Sequence, residues 1–312
     1  MASTLVIILA ETRSCRSTFD LFEKNLLNVF QADLALCVAD NEREDQGNRF
    51  YQKAKYVWQS KEYEDWGDGL EYLIENHHPD WRKLLQIQRQ WLGGIRGEHE
   101  HPGSGGILLY FREFLRQSLL ESGALDKYER FIVTRSDFMY QTPHVPPGLL
   151  DNQYIWIPNG EQYGGYTDRH MLCPAANILQ SLSVANILTR DPDLVIGEMK
   201  HFQRWNLEKY LQFHMQKSGL ENCIRTFPYT MYAVREPGGH TRWSEGSFDP
   251  SLNVFIKYRS EHRRARLARL IVGKKGWTQF SIYAFDFIYA QGLMLASILQ
   301  YLAQKFGHNP SR

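Results

Sequence analysis

Arg135-Ser136-Asp137 stands directly after the apolar run Phe131-Ile132-Val133-Thr134. A carboxylate delivered by the end of a buried strand is held by rigid backbone. One such acid, with substrate oxygens and water, suffices for Mg²⁺ or Mn²⁺. The plainer reading has Asp137 capping a turn and Arg135 paired with a surface acid, and position alone supports both equally. The run Gly164-Gly165-Tyr166-Thr167-Asp168-Arg169-His170 brings a second acid to a loop-to-helix junction. There Asp168 could take a proton from a hydroxyl, while Arg169 could hold that carboxylate or a phosphate. Helix capping by Thr167 or Asp168, worth about 1 kcal/mol, is compatible with that role. Gly103-Ser104-Gly105-Gly106 offers backbone N–H groups to a phosphate, but it completes neither GxGxxG nor GxxxxGKS. A plain helix-start turn is therefore preferred, and a dinucleotide oxidoreductase or P-loop ATPase is disfavoured. His240 follows Pro237-Gly238-Gly239 and precedes Thr241-Arg242-Trp243, where metal ligation or diphosphate contact is open to it.

Such groups need a scaffold, and the sequence supplies alternating strands and helices. Leu5 to Ala10 is a continuous β-branched-rich run, the pattern of a strand covered on both faces. Ser17-Thr18-Phe19-Asp20 resembles a capping box, with Phe19, Phe22, Leu26 and Phe30 then at helical spacing and Asp33 to Ala39 restoring a strand. Tyr51 to His101 reads as aromatic-rich helices and loops, with acids exposed in the turn Tyr63 to Gly69. A helix with Ile107, Phe111, Leu115 and Leu119 on one face should end at Gly123. Strands are expected at Phe131 to Thr134, Tyr154 to Ile157 and Thr226 to Val234. Pro174 suits a helix start, and Glu198 to Ser218 is helical in pattern. The alternation predicts an α/β fold with its chemistry beyond the carboxyl ends of the strands.

At 312 residues and 43% hydrophobic, the chain can bury a core and is neither disordered nor collagen-like. Its 36 bases and 35 acids nearly cancel, yet eight bases and one acid, Glu261, lie between Lys257 and Lys275. The remainder, 28 bases against 34 acids, is about −6, beside a segment of about +7. No nucleic-acid-binding motif accompanies that cluster, and the body is acidic, so nucleic acid is not an expected partner. Cys15, Cys37, Cys173 and Cys223 lack metal-finger spacing, and the Leu5–Ala10 run is short for a signal segment. A cytoplasmic protein with reduced thiols is expected. The basic helix-compatible stretch and the apolar run Phe280 to Ala303 admit two readings: peripheral membrane contact through 257–303, or a helix packed on the body. Asp286 and Gln291 within the run argue against a span.

Taken together, Ala10-Glu11-Thr12-Arg13, Arg135-Ser136-Asp137-Phe138 and Gly164-Gly165-Tyr166-Thr167-Asp168-Arg169 resemble nucleotide-sugar glycosyltransferases of the GT-A type. The chain is similar over residues 4–245 to small soluble glycosyltransferases of large algal viruses (chloroviruses), among them a xylosyltransferase-like protein. The resemblance implies a Rossmann-type mixed, mainly parallel sheet flanked by helices, with a catalytic domain at 1–250 and a basic, helical extension at 251–312. It implies a nucleotide-sugar donor such as UDP-xylose, a glycan acceptor and Mn²⁺ or Mg²⁺, in the host cytoplasm if the protein is viral. Asp137 takes the place of the metal-facing acid, His240 that of the histidine completing the metal site, and Asp168 that of the general base. Ala10, Glu11, Thr12, Arg13, Arg135, Ser136 and Arg169 would line the donor site. Arg135 replaces the first acid of the family's Asp-X-Asp motif, which leaves the metal open and allows Arg135 to neutralise diphosphate itself. The stereochemical course and the alternative of an inactive sugar- or nucleotide-binding protein also remain open.

Overall fold

The computed structural model describes residues 3–40, 47–87, 91–201, 205–238, 246–273, 275–288 and 291. In β1 (Thr4–Ala10) the side chains alternate, Leu5, Ile7 and Leu9 into one core and Val6 and Ile8 into the other. β2 (Asp33–Ala39) splits the same way, with Leu34, Leu36 and Val38 opposite Ala35, Cys37 and Ala39. Both faces are dry, and each large aliphatic removed from water contributes about 1.5–3 kcal/mol. That double cover explains the unbroken apolar runs.

The remaining strands are β3 (Tyr56–Ser60), β4 (Arg130–Thr134), β5 (Phe138–Tyr140), β6 (Ile155–Pro158), β7 (Met171–Pro174), β8 (Ile224–Phe227), β9 (Met231–Arg235), β10 (Ser247–Asp249) and β11 (Val254–Ile256). Seven of them form the main sheet in the order β3-β2-β1-β4-β7-β6-β8. β3, β2, β1 and β4 run parallel, β7 is antiparallel to both neighbours, and β6 pairs parallel with β8. The fold is thus α/β with a mixed, mainly parallel sheet flanked by helices, as expected. A second, antiparallel sheet has the order β10-β11-β9-β5.

Several local expectations change. The first helix starts at Cys15, behind a left-handed Ser14, and no side chain caps it. Thr18 Oγ1 lies 2.8 Å from the carbonyl oxygens of both Ser14 and Ser136, which share its one proton, so the Ser17 to Asp20 pattern is helix interior. Asp65 is a buried cap and not an exposed acid. It accepts from the Gly67 and Arg96 amides at 2.8 and 3.0 Å and from Arg82 at 2.7 Å. The expected strand from Thr226 to Val234 is two strands, because Pro228-Tyr229-Thr230 carries the chain from the main sheet to the second one. Within Glu198 to Ser218, the described helices are Pro192–Met199 and Leu207–Lys217.

The Gly105–Glu121 helix follows its glycine turn as anticipated and ends ahead of a left-handed Gly123 (φ 63°). The boundary expected at residue 250 falls inside the β10–β11 hairpin. Beyond it the Arg259–Val272 helix buries Glu261, Ala265, Ala268 and Val272, and residues 279–288 are helical with Ile282 and Phe285 in the core. Phe280, Tyr283 and Phe287 face outward. Among the described residues no helix is long and apolar enough to cross a membrane; residues 292–303 of the apolar run lie outside them.

Candidate functional site

β2 and β3 extend the sheet to one side of β1, and the chain then returns to place β4 on the other. Between β1 and β4 the strand order reverses, and loops leaving their carboxyl ends must diverge, which opens a crevice there. A cavity of about 240 Å³ occupies it, lined by Leu9 and Ala10 from β1 and Val133 and Thr134 from β4. Ala10 holds a left-handed backbone (φ 77°), an uncommon conformation for a residue with a Cβ.

Of the residues singled out by sequence, Ala10, Glu11, Arg13, Arg135, Ser136, Asp137, Asp168 and Arg169 line this one cavity. Thr12 does not; it is buried, and its hydroxyl accepts from Asn48 Nδ2 at 2.8 Å. His240 lies outside the described residues. Ser136 Oγ donates to the Glu11 carbonyl at 2.9 Å, tying the end of β4 to that of β1. Ser104 and Ile107 bring the first turn of the Gly105–Glu121 helix to the wall. Gly105 itself is needed for packing, since a Cβ there would lie 2.3 Å from the Trp91 carbonyl oxygen.

Asp137 is buried, and both its oxygens are engaged. Its Oδ1 accepts from Arg135 Nε at 2.9 Å and its Oδ2 from Arg135 Nη2 at 2.8 Å, while Arg235 Nη1 makes a further ion pair to Oδ2. Burial alone would raise this carboxyl, but the Arg135 and Arg235 guanidiniums outweigh it and hold the group below the usual carboxylate range. A divalent cation here would face both guanidiniums, each a repulsion of ~8 kcal/mol at about 4 Å and an effective dielectric of about 20. Among the described residues no three His, Cys, Asp or Glu side chains come together as a metal site. This donor set does not fit Mn²⁺ or Mg²⁺; it fits an anion.

Asp168 lines the same cavity. Its carbonyl accepts from the buried Arg112 Nη2 at 3.2 Å, and its Oδ1 is 3.9 Å from Arg169 Nε. The glycines before it have a steric reason: a Cβ on Gly165 would stand 2.0 Å from the Glu208 carbonyl oxygen. That close approach lets the Tyr166 amide bond the Glu208 carbonyl at 2.9 Å and seats the loop on the start of the Leu207–Lys217 helix. His170 turns away from the cavity. It is fully buried, with Nδ1 2.9 Å from Thr134 Oγ1 and Nε2 3.3 Å from His144 Nε2.

Four polar lining residues escaped the sequence reading as site residues: Glu208, Arg235, Lys257 and Tyr258. Arg235 and Lys257 carry the signal that exposed Arg135, a charged residue at the end of an apolar strand (Met231 to Val234, Val254 to Ile256). Glu208 gave none, because an acid in a first helical turn reads as a dipole partner. Burial, then the Asp168 charge, raises its pKa to about 7. Burial, then Arg235 and Arg135, lowers that of Lys257 to about 7. Arg169 is ion-paired to Glu261 and lies 4.3 Å over the Tyr258 ring. The basic segment therefore contributes to the cavity wall, where it had been expected to stand apart from it.

No family model matches the chain, and no curated protein does. Among solved structures it is similar to apo mouse xyloside xylosyltransferase 1 at 12% identity, with a TM-score of 0.37, over 72% of this chain and 84% of that one.

Proposed function

We propose that the protein is a glycosyltransferase acting on a nucleotide-diphosphate sugar and a hydroxyl-bearing glycan acceptor. One observation carries the reading: the cavity at the reversal of strand order is lined at once by Arg13, Arg135, Arg169 and Arg235 and by the carboxylates of Asp168 and Glu208. Arginine forks match phosphate oxygens, and carboxylates serve to accept a proton. The motifs shared with GT-A transferases support the same assignment.

The reaction is a single displacement. The acceptor oxygen bonds to the anomeric carbon while its proton passes to Asp168. The bond from that carbon to the diphosphate breaks, and its electron pair leaves on the diphosphate oxygen facing the arginines. Such a displacement inverts the configuration at that carbon. Glu208, which lines the same cavity and whose pKa burial and the Asp168 charge raise to about 7, would take that proton on. No step is routed through a cation.

Screening nucleotide sugars, UDP-xylose first, for hydrolysis and transfer tests the assignment. Asp168→Asn should lower kcat by at least about 100-fold with the donor still bound. Undiminished transfer by that variant removes Asp168 as base. Donor binding with no turnover of any sugar nucleotide makes the protein a binder of the same ligands.

A further inference from the structure

We infer that Asp137 is a positioning residue, which orients Arg135 and Arg235 so that they hold the donor's diphosphate directly, without a divalent cation. This rests on the nucleotide-sugar reading above. Three observations lead to it.

First, both oxygens of Asp137 are already held by guanidiniums. Both accept from Arg135, and Oδ2 also pairs with Arg235. A cation at this carboxylate would have to approach two guanidiniums that already neutralise it. Second, the pairing is unequal: two guanidiniums share one carboxylate, which leaves positive charge at the carboxyl end of β4. Third, Arg235 is buried and lines the cavity, yet its Nε and Nη2 have no hydrogen-bond partner among the described residues. Its Nη1 is used by Asp137 and by the Val234 carbonyl at 2.7 Å. Buried unpaired donors are costly and uncommon in native proteins, and an acceptor arriving in the cavity would satisfy them. Lys257, on the same wall, has no carboxylate ion pair among the described residues and adds positive charge when protonated.

The occupant these features select is an anion with several oxygens spread over two centres. A diphosphate fits that description: one phosphate can take an arginine fork while the second meets its neighbour. Asp137 acts through the arginines and does not touch the ligand.

Calorimetric titration of the full chain with inorganic pyrophosphate tests this. With EDTA present, binding should match that with Mn²⁺ within about twofold, whereas Arg235→Gln should weaken it at least about tenfold. Arg235 is buried, so the half-exposed Arg135→Gln serves as a second variant with the same expected loss, and circular dichroism checks that both fold. Asp137→Asn gives the decisive sign. Were Asp137 merely a negative charge beside an anion, neutralising it would tighten pyrophosphate binding; as the residue that orients two guanidiniums, its loss should weaken binding about tenfold in EDTA. Binding that requires Mn²⁺, or tightening in Asp137→Asn, overturns the inference. Pyrophosphate binding in EDTA without turnover of any sugar nucleotide supports the arginine site and removes the transferase reading. Turnover that vanishes in EDTA does the reverse.

Discussion

Glu208 and Lys257 face one cavity with pKa values displaced toward neutrality from opposite sides, each to about 7. Burial is the main cause in both, since it disfavours whichever form is charged. On going from about pH 8 to about pH 6, Glu208 becomes neutral and Lys257 becomes cationic, so the wall gains positive charge from both. Anion affinity should therefore rise as pH falls. Lys257→Met should remove its part of that rise, seen as a smaller pH dependence of pyrophosphate binding than in the unaltered protein; the ligand's own titration is common to both. Identical pH dependence in the two proteins would rule Lys257 out of the site. Asp137 and Asp168 were legible in the sequence because each follows a recognisable local signal, a strand end or a glycine pair. The Arg235–Asp137 pair was not, because its members are 98 positions apart.

Among the elements, the Arg259–Val272 helix shows how charge counting can mislead. Its many bases suggest a detached, solvated or lipid-facing segment, yet the one acid near its start is fully buried. Glu261 accepts from Tyr229 Oη at 3.0 Å and from the Ala233 amide at 2.7 Å, and it pairs with Arg169. The helix is thus docked through a charge that a net sum conceals. Glu261→Gln would leave the buried Arg169 with only the more distant Asp168, 3.9 Å away, as counter-charge and should cost about 3 kcal/mol, read by urea unfolding. Arg263→Gln, at an exposed position of the same helix, should stay within about 0.5 kcal/mol. A cost below about 1 kcal/mol for Glu261→Gln would show that apolar packing alone docks the helix.

Across the whole molecule, three buried histidines make stability depend on pH. Burial lowers His144 and His214 to about 4 and His170 well below 6.5. With a folded pKa below the unfolded one, the unfolded chain takes protons first, so the stabilisation is complete above about pH 6.5 and is lost as pH falls toward 4. Each histidine contributes a slope of about 1.4 kcal/mol per pH unit in that window. Asp137 acts lower, its contribution lost only below the ordinary carboxylate range. The melting temperature should fall steadily from about pH 6.5 to about pH 4, and less steeply in His214→Gln, whose amide can still donate to the Gln180 carbonyl now 3.0 Å from Nε2. A flat profile would mean that these rings take up protons in the folded protein as readily as in the unfolded chain. The sequence by itself determined the α/β class, the buried strands β1, β2 and β4, and the acids at their ends, because periodicity and strand-end position are local properties of the chain. Tertiary structure alone decided that Asp137 faces two arginines, that Glu208 shares a cavity with Asp168, and that Lys257 and Tyr258 of the C-terminal segment join its wall. Those outcomes depend on which distant elements meet, and the pairing of β5 with β9 and the packing of Gly165 on Glu208 are set by the whole fold.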